Sequence, residues 1–249
     1  MLRRKMLDAL RSWRAEKGAE CLLIKGARQV GKSYIVAEFG RQDYESFIFI
    51  DFIGSPDLKR VFDGPIDADS IYRQISLVVP GVRFVPGRTL LFLDEIQECP
   101  RARAALKYLA LDGRCDVVAS GSLLGIRFKE EAALASIPVG YEREVEMGPL
   151  DFEEYLWARG YGEDDIANLR EYYESLMPVP VAVNQKMMQM LREYLAVGGM
   201  PAVVDAFART DNFAVAFDEQ SRLLASYLDD VARYAQAPER GRARACFES

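Results

Sequence analysis

Apolar residues fall in short continuous runs over the first part of the chain and at helical spacing over the rest. Four runs, Cys21–Ile24, Phe47–Phe52, Thr89–Leu93 and Asp116–Ala119, are each bounded by turn or capping residues. Runs of this length without in–out alternation are the pattern of strands buried on both faces, so they predict a mostly parallel sheet. A fifth strand is expected over Arg143–Met147. Helices are expected over Ser33–Phe39, Ala68–Val79 and Arg101–Leu111. An opening helix from about Leu2 to Lys17 carries Leu2, Met6, Leu10 and Trp13 on one face. Strand–helix alternation implies right-handed crossovers and a three-layer α/β sandwich with a five-stranded sheet.

The pattern changes after Pro149. Asp151 is a good N-cap, Glu153 and Glu154 suit a first helical turn, and Phe152, Tyr155 and Leu156 form an apolar stripe. Beyond this the spacing predicts helices over Asp164–Leu176, Asn184–Ala196, Ala202–Phe207 and Phe213–Ala235. They are punctuated by Pro178, Pro180, Gly198, Gly199 and Pro201. The expected division is an α/β core over residues 1–160 and a helical region over 161–249. Helical text continues to Ser249 with no stop signal, which predicts a truncated chain.

Composition narrows the chemistry by exclusion. The chain has no histidine, so Ser-His-Asp catalysis, Cys-His catalysis and His-ligated metals are ruled out within it. Its four cysteines, Cys21, Cys99, Cys115 and Cys246, form no C-x-x-C pair, which removes zinc knuckles and thioredoxin-type sites. Net charge is −6. A mildly acidic chain does not advertise a phosphate-neutralising surface, so nucleic acid is left open as a partner rather than indicated. The aromatics Tyr155, Trp157, Tyr161, Tyr172 and Tyr173 lie among acids and are expected to serve packing rather than base stacking. No signal peptide and no run long enough to cross a bilayer occur, so a soluble, cytoplasmic chain is expected.

The sharpest chemical signal is Gly26-Ala27-Arg28-Gln29-Val30-Gly31-Lys32-Ser33, followed by Tyr34. It fits G-x-x-x-x-G-K-[ST] between a strand and a helix, the phosphate-binding loop. Its glycines let the backbone turn and approach a phosphate closely, and its successive N–H groups form an anion nest at a helix N-terminus. Lys32 is expected to reach the β- and γ-phosphates and Ser33 to ligate magnesium. The run Leu90-Leu91-Phe92-Leu93 ends in Asp94-Glu95. An acid at the carboxyl end of such a strand holds magnesium, and the next can activate water, so Asp94 is the expected metal residue and Glu95 the expected general base. Ser120 or Ser122, ending the following strand, is the expected γ-phosphate sensor. An N-K-x-D motif for guanine and an L-S-G-G-Q transporter signature are both absent. The adjacent Asp-Glu favours an additional-strand P-loop NTPase acting on ATP.

These stretches, with Asp94-Glu95-Ile96-Gln97, Ser120-Gly121-Ser122, Pro149-Leu150-Asp151-Phe152-Glu153-Glu154 and Gly198-Gly199-Met200-Pro201, give the chain a family likeness. It resembles the bacterial and archaeal AAA-type ATPases whose core precedes an uncharacterised, restriction-endonuclease-like C-terminal domain. The resemblance implies an ATP- and magnesium-binding core, a helical connector and a C-terminal domain largely missing here. It also implies an arginine where Tyr141 stands; were that arginine a catalytic finger, the role would pass to Arg143 or go unfilled. Three readings follow: an ATP hydrolase driving a conformational change, a slow or non-hydrolysing ATP switch, and a machine whose effector acts on nucleic acid. A homo-oligomer or a protein partner is left open.

Overall fold

The computed structural model describes residues 2–16, 18–122 and 140–234. The helical text expected past Tyr234, and Cys246 within it, lie outside the described residues. Five strands form one sheet: β1 (Cys21–Gly26), β2 (Ser46–Asp51), β3 (Thr89–Asp94), β4 (Asp116–Ser122) and β5 (Glu142–Glu146). Their order is β2-β3-β4-β1-β5, and every neighbouring pair is parallel. The sheet is thus wholly parallel, and β4 is inserted between β1 and β3, which is the additional-strand arrangement.

Alternate residues supply two buried faces, as the unbroken apolar runs require. Cys21 and Leu23, Ile48 and Ile50, Leu91 and Leu93, and Val117 and Ala119 meet Ile71, Ile75, Leu106 and Leu109. The last four come from α3 (Ala68–Val78) and α4 (Pro100–Asp112). On the opposite face α2 (Lys32–Asp43) packs against β2, β3 and β4. It buries Ile35, Val36 and Phe39 there, and α1 (Lys5–Glu16) covers α2 with Leu10 and Trp13. Each such side chain contributes about 1.5–3 kcal/mol on leaving water. Two 3-10 turns, Pro56–Phe62 and Ile96–Glu98, were not predicted; each is too short for a helical period to register. Strand ends agree with expectation to within two residues except at β4, which runs three residues past Ala119 to Ser122.

The chain divides into two compact units, Arg4–Gly148 and Pro149 onward with the first residues. The division falls before the expected boundary near residue 160, because Leu150 and Tyr155 pack with Val197, Val203, Val204 and Phe207. In this unit Asp151 caps α5 (Phe152–Ala158) reciprocally. Glu154 N donates to Asp151 Oδ1 at 2.9 Å, and Asp151 N donates to Glu154 Oε2 at 3.2 Å. The remaining helices are α6 (Glu163–Glu174), α7 (Val181–Val197), α8 (Pro201–Thr210) and α9 (Phe213–Tyr234). The packing role expected of the aromatics holds for Tyr155, which is fully buried, but not for Tyr173, which is 82 % exposed.

Gly199 joins the start of the unit to its middle. Leu150 N donates to Gly199 O at 2.7 Å, and a Cβ on Gly199 would lie 2.2 Å from Leu150 O. Gly199→Ala therefore has no room and is expected to cost about 1–3 kcal/mol. For a chain of this size that lowers the melting midpoint by several degrees, at roughly 2–4 °C per kcal/mol. Scanning calorimetry checks this; an unchanged midpoint would contradict the close approach.

Candidate functional site

β1 ends at Gly26 and α2 begins at Lys32, so the phosphate-binding motif forms the turn between them. The turn passes through left-handed backbone at Gln29 (φ 63°) and Gly31 (φ 96°), conformations that favour glycine and that let neighbouring N–H groups converge on an anion. Gly26 is needed for a different reason. A Cβ there would sit 2.2 Å from Met147 O, at the end of β5. Within the turn Val30 is fully buried, Arg28 is half-buried, and Ala27 and Gln29 are exposed.

Lys32 is 5 % exposed, and its ammonium lies back along the loop. Nζ donates to Gly26 O at 2.9 Å and to Ala27 O at 2.8 Å. Two of its three donors are thus held by the loop. Burial pulls the Lys32 amine below its usual value, while the carboxylates of Glu95 and Asp94 push it back up. That mutual influence brings Lys32, Asp94 and Glu95 into one electrostatic group. Ser33 follows, half-buried, and Tyr34 is exposed on the first turn of α2.

Asp94 closes β3 and is buried. Along β3 it shares a face with Leu90 and Phe92, the face that α2 covers. Ser120 on the inserted β4 is fully buried and donates its hydroxyl to Asp94 Oδ1. Ser122 lies beside Gly26 in the register of β4 with β1. Ser120 therefore meets the acid, and Ser122 meets the first residue of the loop.

Glu95 takes a left-handed backbone (φ 55°) immediately after β3. For a residue with a Cβ that conformation costs about 1–3 kcal/mol, and it turns the chain sharply into the 3-10 turn Ile96–Glu98. Gln97 on that turn is buried and donates Nε2 to Glu95 Oε2. Burial raises the Glu95 carboxyl above the usual range; the Gln97 bond opposes this, as do the charges of Lys32 and Arg28. Arg28 thus acts on both Glu95 and Lys32.

One of the alternatives, that Arg143 fills the finger role, needs correction. Tyr141 and Arg143 belong to the other end of the sheet. In the parallel register Cys21 stands beside Glu142 and Lys25 beside Glu146, so the loop leaves β1 roughly 16 Å along the strands from Tyr141. Tyr141 O accepts from Cys21 N at 2.8 Å, and its ring lies under Lys107. Arg143 is ion-paired with Glu20, Nε lying 2.6 Å from Oε1. Neither residue can supply a cation to the loop of its own chain.

Two residues carried no expected role. Gln97 was legible only as part of the Asp94-Glu95-Ile96-Gln97 stretch. Arg4 had no local signal at all: it reaches Val30 O in the loop at 2.8 Å and Gly148 O at 2.7 Å. A separate cleft of about 600 Å³ lies in the helical unit, lined by Tyr161, Leu169, Tyr172, Met177, Val183 and Met187; it contains none of the expected site residues.

Among the described residues no group of three His, Cys, Asp or Glu could hold a metal alone, and no helix is long and apolar enough to cross a membrane. A hydroxyl at Ser33 and a buried carboxylate at Asp94 fit magnesium, which keeps water ligands and shares phosphate oxygens rather than occupying an all-protein cage.

No curated protein matches the chain. Residues 188–249 match a domain of unknown function (DUF8612), and the nuclease-like domain implied by the resemblance is not among the matches. Two similar solved structures are of the ORC2 protein of Aeropyrum pernix. Its ADPNP-ADP complexes are 18 % identical over 62 % of this chain and 50 % of that one, with TM-score 0.38. Its ADP form is 16 % identical over 70 % and 53 %, with TM-score 0.41. A Pif1 helicase from Bacteroides, in complex with ADP-AlF3 and ssDNA, is 13 % identical over 69 % and 50 %, with TM-score 0.38. The chain spans about half the length of these proteins. Residues 19–156, more than half of the chain, match the model of the AAA domain, and the chain belongs to the AAA-type P-loop ATPase family.

Proposed function

We propose that the chain binds ATP with magnesium at the loop Gly26–Ser33 and hydrolyses it, coupling nucleotide state to a conformational change. The observation that carries this reading is that Gly26, Asp94 and Ser122 end their strands on one side of a wholly parallel sheet, with buried Lys32 held on the Gly26 and Ala27 carbonyls. In this reading the backbone N–H groups from Ala27 to Ser33 cradle the phosphates, and Lys32 adds a full charge to them. Ser33 and Asp94 hold the metal, and Ser120 orients Asp94 through its hydroxyl. When bound, magnesium neutralises charge on the phosphates and polarises them.

Glu95 accepts a proton from the attacking water. Its raised carboxyl suits that task, since a base works best when its pKa lies near the working pH. Ser122, beside Gly26, remains the candidate for contact with the terminal phosphate. Arg28 is the loop's own cation beside Glu95. With Tyr141 and Arg143 at the far end of the sheet, the isolated chain has the character of a slow hydrolase, and a further cation would come from a partner or a second copy.

Removing the Lys32 charge tests binding. Lys32→Ala loses a charge-assisted bond to phosphate, about 1.5–3 kcal/mol, and should weaken ATP binding about ten- to a hundredfold. Calorimetric titration measures it; equal affinity in a folded variant would refute the loop's role.

Glu95→Gln separates binding from chemistry. It should hold ATP as tightly as the wild type and lose most of its turnover in single-turnover phosphate release. Wild-type turnover in this variant would remove Glu95 as the base.

A further inference from the structure

The start of the phosphate loop is fixed by β5. Met147 N donates to Lys25 O at 2.7 Å, and Gly26 lies so close to Met147 O that a Cβ cannot fit between them. The end of the loop is fixed by a residue from elsewhere in the chain. Arg4 precedes α1 and is buried at 7 % exposure. Its Nη1 donates to Val30 O at 2.8 Å and its Nη2 to Gly148 O at 2.7 Å. Both ends of the loop are therefore referred to the same dipeptide, Met147-Gly148: Gly26 by contact, Val30 through the guanidinium.

The Val30 carbonyl is chemically placed to matter. No cis peptide occurs among the described residues, so the C=O and N–H of the Val30–Gly31 peptide point to opposite sides. A carbonyl held toward Arg4 turns the Gly31 N–H away from it. Gly31 is also the residue whose left-handed φ of 96° ends the turn and opens α2. We propose that Arg4 is a positioning residue of the phosphate loop: it holds the Val30 carbonyl outward, aims the Gly31 N–H into the anion nest, and braces that peptide on the backbone at Gly148. The proposal rests on the reading that this loop binds ATP. Arginine suits the task because its planar fork presents two N–H groups in fixed geometry to two carbonyls, which a single ammonium cannot match.

The test is calorimetric titration of Mg-ATP into the full chain, well below each variant's melting midpoint, with melting measured separately without nucleotide. Arg4→Ala should weaken binding about tenfold, as expected for one misdirected donor to a charged phosphate. Arg4→Lys should recover only part of the loss. In steady state KM should rise while kcat at saturating ATP stays close to wild type. A residue that merely braces the fold would lower the melting midpoint and leave the dissociation constant unchanged; that result overturns the proposal. If Arg4→Ala does not fold, Arg4→Lys decides, and an affinity within about twofold of wild type counts against the role. Lys32→Ala is run alongside. If it loses binding while the Arg4 variants keep theirs, the Arg4 proposal alone is wrong. If Lys32→Ala binds as the wild type does, the ATP reading of the loop falls, and the Arg4 role with it.

Discussion

The ammonium of Lys32 is taken out of water at the carboxyl end of a parallel sheet, and the arrangement of the site follows from how that loss is offset. A desolvated cation is unfavourable unless bonds and opposite charges replace its hydration. Two loop carbonyls provide the bonds, and Asp94 and Glu95 provide the charge. The same proximity acts in reverse on Glu95, whose carboxyl burial raises and whose cationic neighbours and Gln97 restrain. Removing any one member leaves the others with uncompensated burial. The cluster is therefore coupled as a unit.

The fold delivers these groups by topology. In a wholly parallel sheet every strand ends on the same side, so Gly26, Asp94 and Ser122 finish together although long stretches of sequence separate them. Insertion of β4 between β1 and β3 sets Ser120 against Asp94 and Ser122 against Gly26. The opposite end of the sheet is held by structural pairs, such as Arg103 to Glu142 at 2.9 Å and Arg143 to Glu20.

What could be read from the sequence was what is local. The loop from Gly26 to Ser33 is contiguous, and its glycines and lysine are each demanded by phosphate chemistry. The β3 run ending in Asp94-Glu95 carries its direction with it, because apolar residues must precede acids at a carboxyl end. The strands were legible because burial on both faces leaves unbroken apolar runs. Non-local facts were not legible. Nothing near Arg4 announces Val30 or Gly148, and nothing near Tyr141 states which end of β5 it occupies; both follow from sheet register. The packing of Leu150 and Tyr155 with partners from Val197 to Phe207 was not legible for the same reason. Tyr173 looked like core by composition, yet helix α6 turns it to solvent.

In the proposed function the loop and the turn after β3 form one nucleotide site. Amide hydrogen exchange with and without Mg-ATP tests it most directly, because it reads backbone protection segment by segment. Nucleotide should slow exchange in residues 26–33 and 94–97 together, and Lys32→Ala should lose both effects. Protection of one segment without the other, or of neither at saturating nucleotide, would contradict it.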